Sequence, residues 1–137
     1  MGEPVYLGGC LCGAVRYEIE GDVSHPCVCH CASCRRATGG TTVPWGTLAR
    51  TALRITRGEL TEYRSSPEVW RGFCARCGTS LTYRHAARAG EIDVTLVTLD
   101  DPALIAPRMH VWMKDRLPWV AIGDSLPRHD ESGAAAG

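Results

Sequence analysis

Eight cysteines in 137 residues fall into three groups: Cys10-Leu11-Cys12, Cys27-Val28-Cys29-His30-Cys31-Ala32-Ser33-Cys34 and Cys74-Ala75-Arg76-Cys77. Zinc binds thiolates at about 2.3 Å in a tetrahedron, so sulfurs sharing one ion lie roughly 3.8 Å apart. Cysteines separated by one or two residues reach that spacing from a single turn. A glycine, Gly13 or Gly78, follows each outer pair. Glycine tolerates the positive φ that folds a chain back over a metal and aims amide N–H groups at its sulfurs. Cys10, Cys12, Cys74 and Cys77 therefore read as one closed four-sulfur zinc site, structural because no coordination position is left for a substrate. Disulfides are the competing reading of an even cysteine count. Cysteines two apart rarely bridge, and the segment before Cys10 has neither a basic start nor an apolar run of signal-peptide length. The expectation is a reducing, cytoplasmic setting.

In the middle group the question is whether three or four sulfurs bind one metal. A strand advances about 3.3 Å per residue, so Cys27 and Cys31 in extended chain lie roughly 13 Å apart. Cys29 and Cys31 point to one face of a strand, and Ala32 to Thr38, before Gly39-Gly40, reads as a helical turn that swings Cys34 back. Three sulfurs and a vacant position are the pattern of a catalytic zinc. A closed site that includes Cys27 is the alternative. Arg35 and Arg36 follow directly, and Arg35, adjacent to Cys34, is the candidate to steady an anionic zinc–thiolate unit; solvated arginines are the plainer reading, above all for Arg36. His30 turns to the opposite face and reads as a supporting or packing group rather than a ligand.

The elements that must carry these groups are short. Val15 to Glu20, Leu53 to Thr56 and Ile92 to Val97 alternate apolar with polar, and Ser80 to Arg84 and Met109 to Trp112 add further strands. Glycine and proline punctuate the intervals, so the class is mostly β. The length allows a single domain, and 45% hydrophobic residues allow a modest core that two zinc sites would reinforce. No stretch is long and apolar enough to span a membrane. Fifteen basic against fifteen acidic residues argue against general binding of nucleic acid. Residues 128–137 read as a flexible tail. Trp45, Trp70, Trp112 and Trp119 are candidates to wall a pocket or to fill the core.

Three stretches carry a likeness to a known family: Gly9-Cys10-Leu11-Cys12-Gly13-Ala14-Val15-Arg16-Tyr17, Cys29-His30-Cys31-Ala32-Ser33-Cys34-Arg35-Arg36-Ala37-Thr38-Gly39 and Phe73-Cys74-Ala75-Arg76-Cys77-Gly78-Thr79-Ser80-Leu81. They resemble the glutathione-dependent formaldehyde-activating enzymes, a family that includes centromere protein V. The resemblance runs from about Gly9 to Pro127, through the segments around Met109-His110-Val111-Trp112 and Asp124-Ser125-Leu126-Pro127, and sets the domain at residues 1–127. It implies a β-tent of small antiparallel sheets holding two zinc ions per chain: a structural ion on Cys10, Cys12, Cys74 and Cys77, and a catalytic ion on Cys29, Cys31 and Cys34. Cys27 lies outside the three-cysteine motif. The implied reaction joins glutathione and formaldehyde into S-hydroxymethylglutathione, classed as a carbon–sulfur lyase activity by its reverse. Fourteen of the fifteen basic residues are arginine, a skew that suggests a GC-rich bacterial gene, and some such bacteria use other small thiols; both thiol and aldehyde are left open. A zinc-stabilised binding module or a carrier of thiol adducts is the non-catalytic alternative.

Overall fold

Short alternating segments pair into two sheets in the computed structural model, which describes residues 2–133. The smaller has the order β1-β2-β5, from β1 (Val5–Gly9), β2 (Arg16–Glu20) and β5 (Leu53–Arg57). The larger contains β3 (Ser24–Cys29), β4 (Val43–Ala49), β6 (Thr61–Ser66), β7 (Val69–Phe73), β8 (Ser80–His85), β9 (Glu91–Thr95) and β10 (Met109–Val111) in the order β10-β3-β4-β9-β8-β7-β6. Its pairings are antiparallel except for β10, which runs parallel to β3. The protein is thus mostly β, with one α-helix, α1 (Ala32–Thr38), among the described residues.

Alternation decides which side chains meet. On β2, Tyr17 and Ile19 turn inward, while Arg16 pairs with Asp100 and Glu18 with Arg54 at the surface. The buried side of β2 meets Leu48 of β4 and Ile92 and Val94 of β9, which face the small sheet. The intervening residues Trp45, Thr47 and Asp93 point to the other face of the large sheet, where the middle cysteine group lies. The large sheet is therefore a partition, with an apolar core on one side and a cleft on the other.

Several boundaries differ from the sequence expectation. The strand expected to run to Val97 stops at Thr95; Leu96–Thr98 forms a 3-10 turn that drives Leu96 and Leu99 into the core. β10 stops at Val111 because Trp112 adopts a left-handed conformation, φ 57°. β1, β4, β6 and β7 carry no pattern that marked them as strands in the sequence. The expected tail is a further difference. His110 N–H donates to Pro127 O at 2.8 Å, His129 N–H to His110 O at 2.9 Å, Trp112 N–H to Glu131 O at 2.9 Å and Met113 N–H to His129 O at 3.0 Å. β10 has β3 on one side only, and its free backbone edge is satisfied by this segment. Residues 134–137 of the expected tail lie outside the described residues. No helix among the described residues is long and apolar enough to cross a membrane.

Ile19 is fully buried between the two sheets. Ile19→Ala is expected to cost about 2–5 kcal/mol through lost burial and the cavity left behind, read as a lower denaturant midpoint in urea unfolding.

Candidate metal centres

The outer cysteines come from two turns of the same construction. Between β1 and β2, Gly13 at φ 79° lets its N–H reach Cys10 O at 3.2 Å, and Val15 N–H donates to Cys10 Sγ at 3.2 Å. Between β7 and β8, Gly78 at φ 81° donates to Cys74 O at 2.7 Å, and Cys77 N–H points at Cys74 Sγ at 3.4 Å. Thr79 joins the turns, accepting from Leu11 N–H at 3.0 Å and contacting Cys77 Sγ at 3.1 Å. The Thr79 hydroxyl, together with backbone amides, pulls the Cys77 thiol down to about 5. The Cys10 and Cys12 sulfurs lie 3.7 Å apart and those of Cys12 and Cys74 3.9 Å apart. These are the edges of a tetrahedron with roughly 2.3 Å metal–sulfur bonds, so the four residues fit a zinc ion.

The second group forms where β3 runs into α1. β3 ends at Cys29; Cys31, still extended at φ −67°, ψ 149°, caps the helix, and Cys34 N–H donates to Cys31 Sγ at 3.3 Å. One helical turn thus folds Cys34 back onto Cys29 and Cys31, whose three sulfurs all lie within 4.8 Å of one another. Gly39, left-handed at φ 75°, ends the helix with its N–H on Arg35 O at 2.7 Å. All three sulfurs line a cleft of about 890 Å³ walled by Trp45, Tyr83, Trp112 and Arg71. Three soft donors with an open side match a zinc site that keeps one position free.

The charge in this group is uneven. S–H donation from Cys29 and Cys31, reinforced by Arg71, brings the Cys34 thiol down to about 2 against the effect of burial. Donation to its neighbours pushes the Cys29 thiol far up. Arg71 Nη1 lies 3.7 Å from Cys34 Sγ, and its guanidinium packs over Tyr83 with 5.0 Å to the ring centroid.

Cys27 shares the cleft but stands outside the three-sulfur group, and burial pushes its thiol up to about 12. Arg35 does not reach the cleft: its Nη1 donates to His30 O and Asp115 O, both at 2.6 Å. That corrects the role expected for Arg35. On a helix that must bring Cys34 inward, the next residue is rotated about 100° away, and it clamps the loop instead. Arg36 does line the cleft. The residue at the sulfur, Arg71, has no cysteine beside it in sequence; its signal is its place on the strand that leads into Cys74. Tyr83 and Asp93 were missed for the same reason, being brought to the cleft by β8 and β9. Of the tryptophans, Trp45 and Trp112 wall the cleft, Trp70 lies between Arg64 and Arg84 at 5.3 and 4.2 Å, and Trp119 is exposed.

Fold and site together define a small β-sheet protein with two cysteine clusters able to hold metal ions, one closed and one facing a cleft. Residues 5–115 match the family model described as glutathione-dependent formaldehyde-activating enzyme. The chain belongs to that family. A crystal structure of a Rhodobacter sphaeroides protein superposes with a TM-score of 0.59 at 27% identity, covering 74% of this chain and 97% of that one. No curated protein matches the chain.

Two measurements check the site. Cys34→Ser should release the cleft metal and keep the outer one, seen as a fall from two zinc ions to one per chain by elemental analysis. A thiol at about 12 is ionised in about one molecule in ten thousand at pH 8. Iodoacetamide at pH 8 should therefore spare Cys27 in the folded protein and modify it after denaturation, as read by peptide mass spectrometry.

Proposed function

We propose that the chain adds a low-molecular-weight thiol, glutathione or an analogue, to formaldehyde or another small carbonyl compound at the cleft of Cys29, Cys31 and Cys34. The observation that carries this reading is the contrast between the clusters: four sulfurs close one, whereas three line a cleft with a guanidinium at Cys34. Family membership supports the same type of reaction.

Cys29, Cys31 and Cys34 would hold zinc, which supplies a Lewis-acidic position that favours the ionised form of an incoming thiol. Arg71 places positive charge at the sulfurs, offsetting the negative charge that three thiolates and a fourth sulfur accumulate. Trp45, Tyr83 and Trp112 give the cleft apolar walls that limit water around the reacting atoms and strengthen that attraction. The incoming thiol gives up its proton to solvent as it ionises; as sulfur bonds to the carbonyl carbon, the C=O π pair moves to oxygen, which takes a proton from a protein donor that is then reprotonated from solvent. The Tyr83 hydroxyl is the donor assigned to this step. Burial pushes its pKa up, so it keeps its proton near neutrality. Asp93 is unsuited to the task because Thr47 and Arg88 engage its two oxygens at 2.7 and 3.1 Å. Holding thiol and carbonyl together lowers the entropic part of the barrier.

Hemithioacetals form readily without a catalyst, so the test must read exchange rates. Magnetisation-transfer NMR with ¹³C-formaldehyde and glutathione should show protein-dependent exchange into the S-hydroxymethyl adduct. Arg71→Ala should slow that exchange by about a hundredfold or more, the scale of losing one charge-stabilising donor, while both metals are retained. Thiol binding without any gain in exchange rate would favour the carrier reading over the enzyme.

A further inference from the structure

On the face of β3 opposite the cysteine cleft, three side chains form a line. Asp124 Oδ1 and Oδ2 lie 3.1 and 3.0 Å from His110 Nε2, and His110 Nδ1 lies 2.9 Å from His30 Nε2. His30 and His110 are 1% and 4% exposed, whereas the Asp124 side chain is 45% exposed. The ionised carboxylate only accepts hydrogen bonds, so it selects the proton on His110 Nε2. His110 Nδ1 is then an acceptor and takes the N–H of His30 Nε2. The hydrogen bond from His110 holds the Asp124 carboxyl below the usual carboxylate range, so the charged end persists near neutrality.

This line ends at the residue between two proposed ligands. The His30 backbone is also held, its N–H donating to Val111 O at 3.1 Å and its carbonyl accepting from Arg35. With the ring fixed on one face of the chain, the neighbouring Cys29 and Cys31 side chains are directed to the other. The outer cluster has a fourth sulfur to complete its tetrahedron. The open cluster has three: the helical turn brings Cys34 back, and the held His30 ring adds a constraint on Cys29 and Cys31 from outside the ligand set. Asp124 lies past residue 115, the end of the family-model match, though within the stretch whose resemblance to the family runs to Pro127. It is tied to β10 by the segment that runs from Pro127 to Glu131 along that strand. Burying two imidazoles costs more than burying apolar groups of like size unless directional bonds offset it; both His110 nitrogens and His30 Nε2 are bonded here, while buried His30 Nδ1 has no hydrogen-bond partner among the described residues.

We propose that Asp124 is a remote positioning residue for the cleft metal, acting through His110 and His30 on the orientation of Cys29 and Cys31; this rests on the reading that the three sulfurs hold a metal. The full chain, loaded with zinc, is mixed with a chromophoric chelator and zinc release is followed in time. Wild type should release its two ions in two phases, the faster from the cleft. Asp124→Ala should speed the fast phase by about tenfold and leave the slow phase unchanged. Asp124→Asn, whose amide oxygen still accepts from His110 Nε2–H, should stay near the wild-type rates. A thermal melt of each variant monitors the fold.

An unchanged fast phase in Asp124→Ala overturns the proposal, as does equal acceleration of both phases, the mark of general loosening. Equal loss in Asp124→Asn and Asp124→Ala overturns it too, because the hydrogen bond would then not matter. If wild type holds a single ion, the reading of the cleft as a metal site falls first and this inference with it.

Discussion

Cys12 and Cys74, 62 positions apart, bring their sulfurs to 3.9 Å, and that convergence joins the two sheets. Cys10 and Cys12 lie in the turn of the small sheet, Cys74 and Cys77 in a turn of the large one. Four thiols crowded together gain little from one another, and as thiolates they repel; a divalent cation turns that repulsion into a cross-link. β7 descends from the second turn, so Arg71, three residues before Cys74 and thus roughly 10 Å from it along a strand, is delivered to Cys34. The strand that leads into the closed cluster thus also carries the guanidinium that reaches the open one.

The two clusters use the same ligand chemistry to different ends because the backbone around them differs. Each outer pair sits in a tight turn with a left-handed glycine, and two such turns face each other to complete a tetrahedron. The cleft cysteines come from one continuous stretch, strand end and helix cap, which supplies three sulfurs from one side only. Cys27, the remaining sulfur of that stretch, is fixed two residues earlier on β3 in register with Trp45 and Met109 and stays outside the group. The open side of the triad follows from that register.

Charge around the cleft is organised by packing rather than by sequence adjacency. Arg35 spends its guanidinium on backbone carbonyls and stiffens the loop. Arg71 reaches the sulfurs from across the sheet, backed by the Tyr83 ring. Arg88 is occupied by Glu91 and Asp93. Arg71 and Arg36 are the arginines left facing the cleft with no carboxylate partner among the described residues, which suits an anionic ligand near the sulfurs.

The cysteine spacing by itself grouped the sulfurs, because cysteines one or two residues apart can reach one tetrahedral ion from a single turn; whether Cys27 joins the middle group was open in the sequence, and the register of β3 leaves it outside. The alternation of Tyr17 and Ile19 likewise marked β2, and the run from Ala32 to Gly39 marked α1. What the sequence left hidden depends on long-range pairing. β6 is mostly exposed and β4 is buried on both faces, so neither alternates, and no local rule shows that Arg71, Tyr83 and Asp93 share a wall with Cys34. The segment after Pro127 is polar and reads as free chain; only the unpaired edge of β10 gives it a place. Which cysteines cluster along the chain is a matter of local spacing, which sequence records. The company those ligands keep is a matter of sheet order and register, which only the folded chain decides.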